Sequence, residues 1–280
     1  MTPALSRPAL QSAADEALAA WNSSSLVQPF SQRLPSFSLD DGYAVMERLH
    51  AHRLGLGWVP VGRKIGFTNT RIWDRYGVHH PIWGWVYDRT LLADGAAACS
   101  LASLVQPRIE PEIVVGLAAA PPADGDLEGV LASVAWVAHG FEIVQSHYPD
   151  WRFAAADSVA FGSLHGRLLV GPKVRPQDLG DSPRAVLRAL ESLEIRLGRE
   201  VPWAEVDRGV GANVLGNPLA AISHLQALLA RTDPARLMQA GEVVTTGTVT
   251  DAHAVASGET WSTRVAGIDL PGLRVTFTQT

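Results

Sequence analysis

The sequence is short of cysteine, of lysine and of long apolar runs, and each shortage excludes something. One cysteine, Cys99, among 280 residues forbids an intramolecular disulfide and any multi-cysteine metal site, and it suits a reducing compartment. No apolar run approaches the roughly 18 residues of a membrane span, and Met1-Thr2-Pro3-Ala4-Leu5 has no basic stretch leading into an apolar core. A cytoplasmic protein with no membrane partner is expected. Lysine occurs only at Lys64 and Lys173, so nearly all of the 23 basic residues are arginine. Against 28 acids they leave a net charge of −5, which argues against nucleic acid and for a small-molecule or protein partner. Apolar side chains are plentiful, 47% of the chain, enough to bury one large domain or two small ones without staples.

Leu10, Ala13, Ala14, Leu18 and Trp21 recur at helical spacing, and Ser38 is placed to cap a second helix, with Asp40 and Asp41 in its first turn and Gly55 and Gly57 beyond it. From Gly62 onward, short strand-like segments alternate with Gly, Pro and Asp turns. They include 63–68, 106–117, 140–145 and 242–247. Helices are expected over 127–137, 150–157, 184–190 and 218–230, the last opening on Pro218, which has no N–H to leave unpaired. The fold class is α+β: an N-terminal helical region over residues 1–60 and a β-rich domain with a closed or rolled sheet over 61–280.

Several spellings fail on context. Gly55-Leu56-Gly57 and Gly209-Val210-Gly211 do not complete a dinucleotide loop, and Gly162-Ser163-Leu164-His165-Gly166 is one position out of register for a nucleophile elbow. The informative stretch is Arg108-Ile109-Glu110-Pro111-Glu112-Ile113. On a strand, side chains alternate, so Arg108, Glu110 and Glu112 share one face and Ile109, Pro111 and Ile113 the other. Pro111 cannot donate to a ladder and predicts an edge, a bulge or a strand start. Two carboxylates about 5 Å apart repel by roughly 3 kcal/mol at an effective dielectric near 20, which solvent relieves on a surface but not in a pocket. A solvated edge and a pocket both remain open at this point. A third carboxylate, Glu142, sits in the apolar run Phe141-Glu142-Ile143-Val144, and three converging glutamates would form a hard, oxygen-rich site for Mg²⁺ or Mn²⁺. In a chain this poor in lysine, Lys64, within Gly62-Arg63-Lys64-Ile65-Gly66, suggests a specific task such as neutralising a substrate carboxylate.

These segments, together with Gly77-Val78 and Pro81, Asp157-Ser158-Val159-Ala160, Leu215-Gly216-Asn217-Pro218 and Gly241-Glu242-Val243-Val244-Thr245-Thr246-Gly247-Thr248, resemble the 2-keto-4-pentenoate hydratase / 4-oxalocrotonate decarboxylase group of the fumarylacetoacetate hydrolase-like superfamily. The resemblance runs in order over about residues 40–280. It implies a mixed β-sandwich roll and Mg²⁺ or Mn²⁺ on Glu110, Glu112 and Glu142. Lys64 would face a small 2-oxo or 2-hydroxydienoic acid drawn from the breakdown of aromatic compounds, and Ser163 and Thr248 would touch the substrate. A homo-oligomer is also implied. Where such hydratases have an aspartate, this chain has His79, and Ser163 and His165 stand in another altered segment, so His79 and His165 become the candidates for moving protons. Hydration of a dienoate leads, decarboxylation of a 2-oxo-3-enedioate follows, and cleavage of an acylpyruvate is the third reading.

Overall fold

This computed structural model describes residues 5–34, 36–70, 73, 78, 80–93, 95–123 and 125–280. Helix α1 (Arg7–Ser23) starts where Ser6 accepts the Ala9 N–H, and it buries Ala13, Ala14, Ala17 and Ala20. Helix α2 (Phe30–Arg33) is a single turn. Helix α3 (Leu39–Gly55) opens on a capping box in which Ser38 and Asp41 each satisfy the other's backbone N–H. Later in the chain come α4 (Leu127–Ala132), α5 (Ala155–Ala160), α6 (Pro183–Ser192) and α7 (Pro218–Thr232). At Gly42 of α3 a Cβ would lie 2.4 Å from the Ala156 carbonyl oxygen, so the close approach of α3 to α5 requires glycine there. The N-terminal helices share one apolar cluster with Tyr148, Ala156, Ala160 and Phe161.

The strands are β1 (Pro60–Gly66), β2 (Ile82–Tyr87), β3 (Ala98–Ser100), β4 (Arg108–Leu117), β5 (Val134–Val144), β6 (His165–Val170), β7 (Glu194–Arg199), β8 (Ala204–Val210), β9 (Val243–Thr248), β10 (His253–Ala254), β11 (Thr260–Ala266) and β12 (Arg274–Thr278). One sheet has seven strands in the order β2-β1-β9-β4-β5-β6, with β10 also on β4. The other has five in the order β3-β12-β11-β7-β8. β1 lies parallel to β9 and β12 to β3, and the remaining pairings are antiparallel. Ile109, Phe141 and Ile143 of the larger sheet pack on Leu197, Trp261, Val275 and Phe277 of the smaller, the inner layer of a sandwich. The fold is the α+β architecture expected, and no described helix is long and apolar enough to cross a membrane.

Local departures from the sequence reading have physical causes. The helix over 127–137 stops at Ala132, because the run from Val134 is drawn into β5 between two neighbouring strands. No helix spans 150–157: Asp150 and Trp151 hold left-handed φ angles of 54° and 58°, and α5 begins only at Ala155. β8 carries Glu205, Asp207 and Arg208 in a mostly exposed edge strand, a pattern that resembles a loop. Pro111 does not mark a sheet edge, since β4 is interior. Its missing N–H falls where the β9 and β10 pairings are interrupted, and the β4–β9 register shifts between Glu112 and Val114.

Asp157 ties these layers together. Its carboxylate accepts the Ser31 N–H at 3.0 Å, the Ser31 hydroxyl at 2.5 Å and the Ala154 N–H at 2.9 Å, joining α2 to the start of α5. Asp157→Ala leaves those donors unpaired in a buried place and is expected to lower unfolding free energy by about 2–4 kcal/mol. The measurement is urea unfolding, with a lower midpoint at unchanged slope. A change below about 0.5 kcal/mol would remove this role.

Candidate active site

β4 and β5 run antiparallel with Glu110 directly opposite Glu142. Opposed residues point to one face of a sheet, as do residues two apart on one strand, so Glu110, Glu112 and Glu142 project together while Ile109, Phe141 and Ile143 enter the inner core. One carboxylate oxygen from each glutamate lies within 4.8 Å of the others. That face opens on a cavity of about 200 Å³ lined by Lys64, Glu110, Glu112, Ser163 and Thr248 among others. The pocket is the alternative that holds; Glu112 and Glu142 are fully buried.

Each carboxylate is fixed by a different device. Glu112 Oε2 accepts the Thr245 hydroxyl and, at 2.8 Å, the Gly247 N–H. Gly247 has φ of 105°, and a Cβ there would fall 1.9 Å from Thr68 Oγ1, so the donor amide depends on glycine. The Glu112 carbonyl takes the His139 Nδ1–H at 3.0 Å, and His139 Nε2 lies 2.8 Å from Thr263 Oγ1 on the smaller sheet. Burial pushes the His139 pKa down to about 4, which keeps the ring neutral in this bridge between sheets. Glu142 Oε1 accepts the His165 Nδ1–H at 2.8 Å, and His165 Nε2 lies 2.8 Å from Thr90 Oγ1. Lys64 Nζ stands 3.1 Å from Glu142 Oε2, an ion pair without the alignment of a hydrogen bond.

Burial pushes the Glu110 carboxyl up to about 7, with Lys64 pulling against it and Glu142 adding repulsion. Glu112 is raised well above the ordinary carboxylate range by burial and by the charges of Glu142 and Glu110. Burial acts on Glu142 in the same sense, but Lys64 and His165 outweigh it and hold that carboxyl low. For Lys64, burial favours the neutral amine, yet the three glutamates together lift its pKa above the ordinary value.

Glu112 Oε1 is a buried acceptor with no hydrogen-bond donor, and Glu142 Oε2 has the Lys64 ammonium 3.1 Å away. Oxygens of this kind, three carboxylates converging in a partly polar cavity, fit a hard divalent cation, which would pair the orphan and cancel the repulsion. The donor set therefore fits the metal implied by the sequence.

The structure brings Lys64, Glu110, Glu112, Glu142, Ser163 and Thr248 together. The Ser163 hydroxyl donates to the Trp83 carbonyl at 2.6 Å, so toward a ligand it offers lone pairs only. Thr248 donates to the Thr250 carbonyl at 3.0 Å. His165 is buried behind Glu142 and does not line the cavity, which makes it a positioning residue for that carboxylate. His79 lies outside the described residues. Sequence reasoning misses Thr245, Gly247, His139 and Thr90 as supports. The segment Glu242–Thr248 contains two of them, and its run of threonines ending on glycine is the one local signal.

His165→Gln, which removes the Nδ1–H that Glu142 accepts, is expected to weaken Mn²⁺ binding about 10–100-fold in calorimetry. Unchanged affinity would refute the positioning role. Glu112→Gln is expected to abolish the rise in melting temperature that Mg²⁺ or Mn²⁺ gives the wild-type chain.

No protein-family model matches the chain. Curated relatives are found: a 2-keto-4-pentenoate hydratase of Paraburkholderia xenovorans is 29% identical over 261 residues, covering 92% of this chain and 91% of that protein. A 4-oxalocrotonate decarboxylase of Pseudomonas putida is 30% identical over 239 residues, covering 84% of each. Among solved structures, 4-oxalocrotonate decarboxylase from Pseudomonas putida G7, complexed with magnesium and adipate, superposes with a TM-score of 0.87 at 24% identity over 99% of this chain and 100% of that one. Fumarylpyruvate hydrolase from Pseudomonas aeruginosa, with Mn²⁺ and pyruvate, gives a TM-score of 0.58 at 15% identity over 79% of this chain and 91% of that one. The glutamate cluster thus sits in a fumarylacetoacetate hydrolase-like fold, and the chain belongs to the family of 2-keto-4-pentenoate hydratases and 4-oxalocrotonate decarboxylases.

Proposed function

We propose that the protein is a metal-dependent lyase that adds water to a 2-hydroxydienoate of the 2-keto-4-pentenoate type, in the breakdown of aromatic compounds. The observation that carries this reading is the gathering of Glu110, Glu112 and Glu142 into one cluster, with Glu110, Glu112 and Lys64 lining a single cavity and Glu142 buried beside them. When bound there, Mg²⁺ or Mn²⁺ would supply Lewis-acid stabilisation of negative charge on the 2-oxygen of the substrate.

The remaining work falls to the chain's own groups. Lys64, buried and charged, sets a positive field beside the substrate carboxylate in a place where solvent screens it little. Ketonisation of the dienol needs a proton at C5. Hydration then needs the water oxygen at C4 and its proton at C3. Thr248 and Ser163 set polar oxygens along the wall where that water can be oriented. His79, in the place where such hydratases have aspartate, is the proposed proton carrier. The reading includes a cytoplasmic homo-oligomer without a nucleic-acid partner, in keeping with the net charge of −5.

Decarboxylation of a 2-oxo-3-enedioate is the second reading. Arg108, a cation on the cavity wall that could meet a second carboxylate, favours it. The test is loss of diene absorbance when the Mg²⁺-loaded protein meets 2-hydroxypenta-2,4-dienoate, with formation of a 4-hydroxy-2-oxo acid. No consumption with or without metal refutes the hydratase reading, and carbon dioxide release from the enedioate instead establishes the second. His79→Asn is expected to lower kcat about 100-fold at unchanged Mg²⁺ affinity, with His79→Asp recovering a large part of it.

A further inference from the structure

Strand β8 is a mostly exposed edge of the smaller sheet, yet it reaches the active site. Its contacts fall on the segment that joins β9 to β10, where Thr248, Thr250, Asp251 and Ala252 line the cavity of the glutamates. Asp207 Oδ2 accepts the Asp251 N–H at 3.0 Å and the His253 Nε2–H at 2.8 Å. A Cβ on Gly209 would lie 1.8 Å from the Val249 carbonyl oxygen, so the two backbones meet only because residue 209 is glycine. Asn213, just past the strand, donates its Nδ2–H to the same carbonyl at 2.8 Å. From the other side, β10 sets His253 opposite Ile109, the residue before Glu110, and the Val249 N–H donates to the Pro111 carbonyl at 3.1 Å. The cavity wall is thereby held between the strand that bears Glu110 and Glu112 and an edge strand of the other sheet.

Within the segment the bonds converge on Thr248. Its hydroxyl donates to the Thr250 carbonyl at 3.0 Å and accepts the Thr250 N–H at 3.2 Å, and the Thr250 hydroxyl donates to the Asp251 carbonyl at 2.9 Å. A hydroxyl whose proton is committed and one of whose lone pairs is filled has one lone pair left. It can accept an O–H of water and leave that water's oxygen free to attack. Thr250 fixes the Thr248 hydroxyl, Asp251 fixes Thr250, and Asp207 fixes the Asp251 amide. Asp207 is half-buried, and an ionised acceptor shared by two donors anchors more firmly than a neutral one. The His253 ring lies beside Trp261 of β11, with centroids 6.2 Å apart, which limits where it can turn.

We propose that Asp207 is a positioning residue of the active site: through the Asp251 amide and His253 it fixes the wall that carries Thr248, and with it the water that Thr248 orients. This rests on the proposed function in one respect, that a water is oriented at this wall for addition to the dienoate.

The test joins steady-state hydration of 2-hydroxypenta-2,4-dienoate by the Mg²⁺-loaded protein to hydrogen exchange of the peptide spanning residues 248–253, both well below each variant's melting midpoint. Asp207→Ala is expected to lower kcat about tenfold with KM within about twofold, and to speed exchange in 248–253. In a Thr248→Val background the same change is expected to lower kcat by less than about twofold, because the hydroxyl it positions is gone. Asp207→Asn, of the same shape and able to accept one of the two donors, carries the same comparison should the alanine variant unfold, with kcat about threefold lower. Losses that multiply in the double variant overturn the proposal, as does an Asp207→Ala variant with wild-type kcat or with unchanged exchange in 248–253. The failures are distinguishable: a wild type that hydrates no dienoate removes the hydratase reading and leaves exchange in 248–253 to decide the anchoring by Asp207, whereas active hydration with multiplying losses removes the role of Asp207 alone.

Discussion

Mutual repulsion of three carboxylates in a buried cavity is the constraint around which this molecule is arranged. Each pair would repel by a few kcal/mol at an effective dielectric near 20, and burial adds a desolvation cost to every charge. The protein relieves only part of this. Glu142 has Lys64 and His165, Glu112 has a hydroxyl and an amide on one oxygen, and its other oxygen is left without a donor. The chain thus carries a local instability that a divalent cation resolves, and the instability is the source of the site's affinity.

Backbone geometry carries most of the precision. The opposition of Glu110 and Glu142 is set by strand register, and a slip of β4 by one residue would send Glu110 and Glu112 into the apolar layer between the sheets. That layer, with Phe141 and Trp261 fully buried, prevents the slip. Apolar packing on one face of β4 and β5 is therefore what holds like charges together on the other.

Much of this was legible in the sequence because it is local. Alternation in Arg108–Ile113 sets two glutamates side by side, and the rarity of lysine singles out Lys64. Helix α1 follows from its apolar spacing and α3 from its Ser38 cap. What was not legible depends on distant partners. Pro111 suggests an edge, a bulge or a strand start, and nothing nearby reveals which; the β9 and β10 pairings break beside it, with a register shift at Glu112–Val114. The left-handed Asp150 and Trp151 are imposed by Gln106, and His165 looks like a loop histidine until Glu142 and Thr90 close on it.

The parallel pairing of β1 with β9 places Lys64 beside Thr245, strands from opposite ends of the domain. Such a contact closes a very long loop, and it requires β9 to be synthesised before it can form. A nascent chain holds Glu110, Glu112 and Glu142 well before it holds the Thr245 and Gly247 donors that orient Glu112. The complete set of supports for Glu112 therefore exists only once β9 has paired, and a truncation that removes β9 would leave a carboxylate hairpin without the strand that orients it.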